Sequence, residues 1–302
     1  MSNFSHREEG ESFNKAPGQE GRNDVGFANL KVKCLQWPEE RHTKYLLSKA
    51  SVAVRGSIVE DDETDEDMAN DMFKGGLNQA LEWVKVTFEC SGVSRGLTHQ
   101  LVRTRKASFS QQSLRYADLD NFNARMPTAI HEHEGLDKID PDKYPRLYEM
   151  SRGWSLTAQE AWAMAIKLSR EVYGFLADHG VPMQDARTVC PIATETYILC
   201  NYDLGEFLSL YSYRACQMFY PEMVAIMGLM KKALVEKAPW LEEHIKISCE
   251  KTSGGIELDT GIGSYQLPHK CTYQGWERVE DQCTFEWALE ENRTFKSRKV
   301  AG

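Results

Sequence analysis

Arg103-Thr104-Arg105-Lys106-Ala107-Ser108-Phe109-Ser110-Gln111-Gln112-Ser113-Leu114-Arg115-Tyr116 is the stretch around which this chain is organised. It concentrates arginines and short hydroxyl and amide side chains in a chain of 302 residues with a formal net charge of -9. A guanidinium presents a flat fork of donors that fits a phosphate or a base edge, and Ser and Gln add directional hydrogen bonds at short reach. The segment therefore has the make-up of an anion cradle. The plainer alternative is a solvated loop with scattered charge.

Working upstream, Val84, Val86, Phe88 and Cys90 fall on one face and Trp83, Lys85, Thr87 and Glu89 on the other, the period of a half-buried strand. After Gly92, Ser94 is placed to cap a helix on which Leu97 and Leu101 stack one turn apart. Arg103 and Arg105 then lie at or near its C-terminus, and Ser108 to Tyr116 reads as extended. Further upstream, Leu30, Val32 and Cys34 alternate with Lys31 and Lys33, and Glu39 to Val54 reads as a helix. The acidic run Glu60 to Asp67 reads as a solvated loop or the acidic start of a helix.

Downstream, Asn121 to Arg152 is polar and punctuated by Pro127, Pro141 and Pro145. His131-Glu132-His133 within it reads as solvated rather than as a metal site. Thr157-x-x-Glu160 has the form of a capping box and opens a periodic helix through Trp162, Ile166, Tyr173 and Leu176, stopped by Gly180 and Pro182. A short helix through Asp185 to Arg187, a strand from Thr194 to Asn201, and helices over Leu204 to Ala215 and Pro221 to Lys237 follow. Beyond about Thr252 the chain is Gly-rich, with short strand-like pieces around Thr272 and Thr284.

The acidic balance argues against a nucleic-acid coat or an anionic membrane partner, while leaving room for one local basic pocket. No apolar run approaches the roughly 20 residues of a membrane span, and Met1 to His6 lacks a signal-peptide core, so a cytoplasmic protein is expected. The eight cysteines contain no C-x-x-C pair and read as buried reduced thiols. Cys249, His269, Cys271 and Cys283 match no standard zinc spacing, and no metal site is expected. Residues 1–27 have too few apolar side chains to offset ordering and read as a disordered tail. Residues 28–250 form the principal domain, and 251–302 an extension of unassigned role.

Arg103-x-Arg105, seven residues, then Ser113 resembles the signature of the flavin-dependent thymidylate synthases, R-H-R, seven residues, S. The resemblance extends to Leu77-x-x-x-x-Glu82-Trp83, where the family has a His-x-x-x-x-Glu-His box, and to Ser91-Gly92-Val93-Ser94-Arg95 leading into the motif helix. Downstream, Ala186-Arg187-x-Val189-x-Pro191-x-Ala193-Thr194-Glu195-Thr196 is similar to its second nucleotide block, and Arg214-Ala215 lies eighteen residues beyond Thr196, where the family keeps an arginine before an alanine.

That resemblance implies an α+β subunit with a mixed sheet and long helices, assembling as a homotetramer with shared active sites. The implied reaction converts dUMP to dTMP with methylenetetrahydrofolate as carbon donor and FAD as hydride carrier, recharged by NADPH. Carried over residue by residue, Gln100, Arg103, Gln111, Gln112, Ser113, Arg115 and Arg187 line the nucleotide site, with Arg214 the catalytic arginine that favours ionised N3 of uracil. Gln79, Glu82, Arg103, Thr104, Arg105, Gln111, Asn201, Asp203 and Ser209 fall to the flavin. Asn201 and Asp203 are alternative counterparts of one asparagine, differing by a two-residue shift.

The departures fall on the flavin side. Thr104, Leu77 and Trp83 replace three histidines, and Met218 stands where a flavin-contacting histidine is usual. Imidazoles near a flavin hydrogen-bond to ring heteroatoms and tune charge on the reduced ring. Trp83 reads equally as core packing on a strand. The alternatives are methylation or hydroxymethylation of another pyrimidine nucleotide, UMP or dCMP, and a nucleotide-binding paralogue without redox chemistry.

Overall fold

The computed structural model describes residues 30–55, 64–74, 78–117, 119, 122–131, 133, 135–216, 219–247, 258–259 and 264–265. The expectations for the tail 1–27, for Leu77 and Met218, for the cysteines beyond Cys216 and for most of 251–302 lie outside the described residues.

A four-stranded sheet in the order β1-β2-β6-β3 carries the fold, built from β1 (Lys31–Gln36), β2 (Lys85–Ser94), β3 (Ala107–Gln111) and β6 (Glu195–Asp203). Strand β1 runs antiparallel to β2, with Val32 opposite Cys90 and Cys34 opposite Phe88, and an irregularity between Cys34 and Gln36. The alternation read from the sequence for β2 is realised, with Val86, Phe88 and Cys90 fully buried, and β6 shows the same period in Ile198, Cys200 and Tyr202. This is the period of two that places every second side chain on one sheet face.

The helices are α1 (Glu40–Arg55), α2 (Asp65–Lys74), α3 (Asn78–Leu81), α4 (Arg95–Leu101), α5 (Thr128–His131), α6 (Pro145–Met150), α7 (Ala158–Asp178), α8 (Met183–Ala186), α9 (Leu204–Arg214) and α10 (Pro221–Val235). The acidic run supplies Asp65, Glu66 and Asp67 to the first turn of α2, where carboxylates favour the positive end of the helix dipole. Two small ladders are also formed, β4 (Leu136–Asp137) with β5 (Leu156–Thr157), and β7 (Leu258–Asp259) with β8 (Ser264–Tyr265). The mixture of sheet and helices is the α+β class expected.

The chain divides into two compact units. The first holds Gly92–Thr98 and Gln111–Tyr197, and its core gathers Phe122, Ala124, Ile166, Tyr173 and Ala186, with Trp162 and Leu176 packed against them. The second holds Leu30–Ser91, His99–Ser110 and Ile198–Gly302. Its core includes Phe88, whose ring centroid lies 5.1 Å from that of Phe207 and 6.5 Å from that of Tyr202.

One expectation is corrected. The segment after β3 does not stay extended to Tyr116: residues 114–116 turn, with the Tyr116 amide donating to Ser113 O at 3.2 Å. The polar stretch 121–152 carries α5, β4 and α6, because Pro145 suits a first helical turn and β4 finds its partner in β5, beyond the segment.

Candidate active site

In the first unit, the signature segment and the 186–196 block meet at the start of α4. Ser94 Oγ accepts from the Leu97 amide at 3.0 Å, the cap anticipated from sequence. The Arg95 and Gly96 amides then donate to Thr194 O at 3.0 Å and Ile192 O at 2.8 Å, which docks the Pro191–Thr194 turn against that helix. The Gln112 amide donates to Tyr197 O at 2.9 Å, and Arg95 Nη2 donates to Gln112 O. Arg187 anchors itself through Nε to Gln184 O at 3.0 Å.

The charges of Arg95 and Arg187 act on one another, and neither guanidinium forms an ion pair with an acid among the described residues. Burial, and after it the charge of Arg187, holds the Arg95 guanidinium below its ordinary pKa. Arg95 Nε is buried and meets no hydrogen-bond partner among the described residues. Buried donors of this kind are normally satisfied, so an orphan on a cation that feels a second cation is a candidate contact for an anion. Gln111 Nε2 donates to Thr98 Oγ1 at 2.7 Å, which leaves its carbonyl oxygen available. Ser113 Oγ accepts from the Arg115 amide at 3.3 Å, and exposed Arg115 lies over the Tyr116 ring at 5.5 Å.

Arg125 braces this unit. Only 2% exposed, it donates to Gly92 O and, at 3.1 Å, to Glu195 Oε1. It ties the end of β2 to the start of β6 and belongs to the scaffold.

The second unit holds the rest of the signature. Thr104 N donates to Leu101 O at 3.0 Å and Arg103 N to Gln100 O at 3.3 Å, so the chain leaves α4 in a turn. The Arg103 and Arg105 side chains are exposed and make no hydrogen bond or ion pair among the described residues. Gln79 and Ser209 are exposed as well. Trp83 is 59% exposed in the turn before β2, which overturns the core-packing alternative: the strand starts at Lys85, so the alternation no longer governs position 83.

Asn201 Nδ2 donates to Thr87 Oγ1 at 2.7 Å, and Thr87 Oγ1 donates to Gln36 Oε1 at 2.9 Å. Asp203 Oδ1 accepts from the Glu206 amide at 2.6 Å and caps α9, so both candidate asparagine counterparts have local partners. Glu82 is paired with Lys106. Arg214, in the last turn of α9, lies between two rings, its guanidinium carbon 5.4 Å from the Tyr213 centroid and 5.1 Å from that of Phe219. No carboxylate neutralises it among the described residues.

Cys190, three residues past Arg187, is pushed up to about 11 by burial. It stays a thiol at neutral pH and is no nucleophile. A Cys200 hydrogen bond and, after it, burial raise Cys90 well above the ordinary thiol range. Among the described residues no group of His, Cys, Asp or Glu could hold a metal ion, and His131 O and His133 O accept from Gln159 Nε2.

Arg95 is a candidate site residue that the sequence did not single out. Its signal was a cation in the first turn of a helix, the end where the dipole disfavours positive charge. A strongly placed cation there calls for a partner.

The sequence model of the family described as thymidylate synthase complementing protein matches residues 39–240. The flavin-dependent thymidylate synthase of Geobacter sulfurreducens is 30% identical over 164 residues, covering 54% of this chain and 62% of that protein. The enzyme of that name from Nitratidesulfovibrio vulgaris is 31% identical over 180 residues, 60% of this chain and 68% of its own. The matched stretch thus spans about two thirds of these relatives. Among solved structures, the UMP/dUMP methylase PolB from Streptomyces cacaoi, bound with 5-Br dUMP, superposes with a TM-score of 0.51 at 16% identity, over 72% of this chain and 94% of that one, and shares the fold. With the family sequence model running from the start of α1 to beyond α10, and the signature segment and second block meeting as described, the chain belongs to the thymidylate synthase complementing protein family, the flavin-dependent thymidylate synthases.

Proposed function

We propose that the protein methylates dUMP at C5 to give dTMP, with methylenetetrahydrofolate as carbon donor, FAD as hydride carrier and NADPH as its reductant. The observation that carries this reading is the buried orphan donor on Arg95, a guanidinium that feels the charge of Arg187 and has no counter-ion among the described residues. A nucleoside monophosphate brings close to two negative charges and several acceptor oxygens, which suits two guanidiniums better than any neutral ligand does. Gln100, Arg103, Gln111, Gln112, Ser113 and Arg115 are also assigned to the nucleotide, as the family resemblance implies.

Arg214 is assigned to the uracil ring. Methylation at C5 requires electron density in the ring, and a guanidinium beside N3 and O4 stabilises the resulting anion. The rings of Tyr213 and Phe219 fix the orientation of the Arg214 side chain. Among the described residues no carboxylate pairs with it. The high pKa of Cys190 agrees with a route that uses no protein nucleophile.

The second unit offers a donor set that fits a flavin dinucleotide: unpartnered Arg103 and Arg105 for a diphosphate, exposed Gln79 and Ser209 for hydroxyls, and the Trp83 indole as an open aromatic face. Bound FAD in its reduced form supplies the hydride. Thr104, Glu82 and whichever of Asn201 and Asp203 faces the ring are assigned to orienting it. A homotetramer with shared sites is part of the proposal, supported by the outward stripe Leu168, Val172 and Phe175 on α7.

The test is cofactor content and nucleotide binding of the purified protein. A yellow protein with a flavin absorbance band that also binds dUMP in preference to UMP and dCMP supports the reading. Protein that binds dUMP but takes up no flavin when supplied with it overturns the redox half.

A further inference from the structure

Lys106 follows the signature arginines directly, and its ammonium meets Glu82 Oε1, bringing the entry of β3 to the turn before β2. The two side chains are 58% and 41% exposed. An exposed pair of this kind adds little to stability, so folding alone does not account for a lysine here. Its surroundings do. Lys106 also feels the charges of Asp203 and Glu206, and none of these three acids forms another ion pair among the described residues.

The acids are not free to turn away. Asp203 is buried and held by its cap on α9, and Glu206 stands one helical turn beyond it. Burial raises the Glu206 carboxyl, Asp203 raises it further, and Lys106 opposes both. Without the ammonium, the charges of Glu82, Asp203 and Glu206 would stand uncancelled at the position that directly follows Arg105 in the chain.

We propose that Lys106 is a positioning residue for the cofactor: it holds Glu82 in place and cancels the carboxylates of Glu82, Asp203 and Glu206, so that an anionic dinucleotide can be received beside Arg103 and Arg105. This rests on the flavin reading above. It predicts a role confined to the cofactor and separate from the phosphate of the nucleotide substrate. The role depends on charge rather than on the aliphatic stem, so arginine can take it over.

FAD titration of the purified full chain, followed by flavin fluorescence, tests it. Lys106→Gln weakens FAD binding by about tenfold or more, with dUMP binding by calorimetry within about twofold of the parent, since removing one charge from a partly exposed cluster costs on this order. Lys106→Arg binds FAD within about threefold of the parent, and Lys106→Gln combined with Glu206→Gln recovers part of the loss. The proposal is overturned if Lys106→Gln binds FAD as tightly as the parent, or if Lys106→Arg fails as badly as Lys106→Gln. A parent protein that binds no FAD overturns the flavin reading and this proposal together, whereas a parent that binds it alongside an unaffected Lys106→Gln overturns the proposal alone.

Discussion

Arg95 and Arg187 carry opposite lessons about single side chains. Arg187 is legible from its place in a motif, whereas Arg95 becomes a site residue only because Thr194 and Ile192 accept from its helix and bring the Arg187 block beside it. Sequence separation hides such a meeting. Arg187→Ala removes charge-assisted hydrogen bonds worth about 1.5 to 3 kcal/mol, so dUMP binding measured by calorimetry should weaken by roughly 10- to 100-fold. Arg95→Ala should weaken it similarly; unchanged affinity in both variants would remove the anion site. Arg125 belongs to a different class: Arg125→Ala leaves Glu195 partly buried opposite an empty place and should destabilise the fold by about 3 to 5 kcal/mol in denaturant titration. A loss below about 1 kcal/mol, the range of a surface pair, would contradict that assignment.

At the scale of elements, regular periodicity and capping chemistry were readable and irregular stretches were not. The alternation of β2, the Ser94 cap and the start of α7 at Thr157 all follow from local chemistry and recur in the structure. The hairpin of β4 and β5 around α6 did not show, because polar composition masks a pairing made by two residues on each side. The capping box of α7 is complete: Thr157 Oγ1 accepts from the Glu160 amide at 3.2 Å, and Glu160 Oε2 accepts from the Thr157 amide at 2.8 Å. Loss of the hydroxyl in Thr157→Ala should cost about 1 kcal/mol of stability.

The same bonds hold the Glu160 carboxyl below its ordinary pKa, the Thr157 amide contributing most. Its stabilisation is therefore full above the unfolded carboxylate pKa and fades as pH falls through the lower folded value. Thermal melts below about pH 4 should show this loss in the parent and a smaller one in Glu160→Gln; equal pH profiles would contradict the box.

For the whole molecule, the two compact units separate the assigned groups: Arg95, Gln112 and Arg187 in one, Arg103, Arg105, Trp83 and Arg214 in the other. The class of fold was legible because the motifs fall in order on strands and helices of ordinary periodicity. The flavin side was less so, since its lost imidazoles leave spacing without chemistry, and only exposure shows that Trp83 presents a face to its surroundings. Sedimentation of the purified protein should give a tetramer, and Phe175→Glu on the outward stripe of α7 should shift it to smaller species. A monomer in the parent would contradict the shared-site assembly.

The most direct measurement is turnover under anaerobic conditions with dUMP, methylenetetrahydrofolate, NADPH and FAD, the nucleotide product being identified by mass spectrometry. The account predicts dTMP that disappears when FAD or NADPH is omitted and when Arg214 is changed to Ala. Protein that binds dUMP yet forms no dTMP with every component present, or that forms it equally well without flavin, would contradict it.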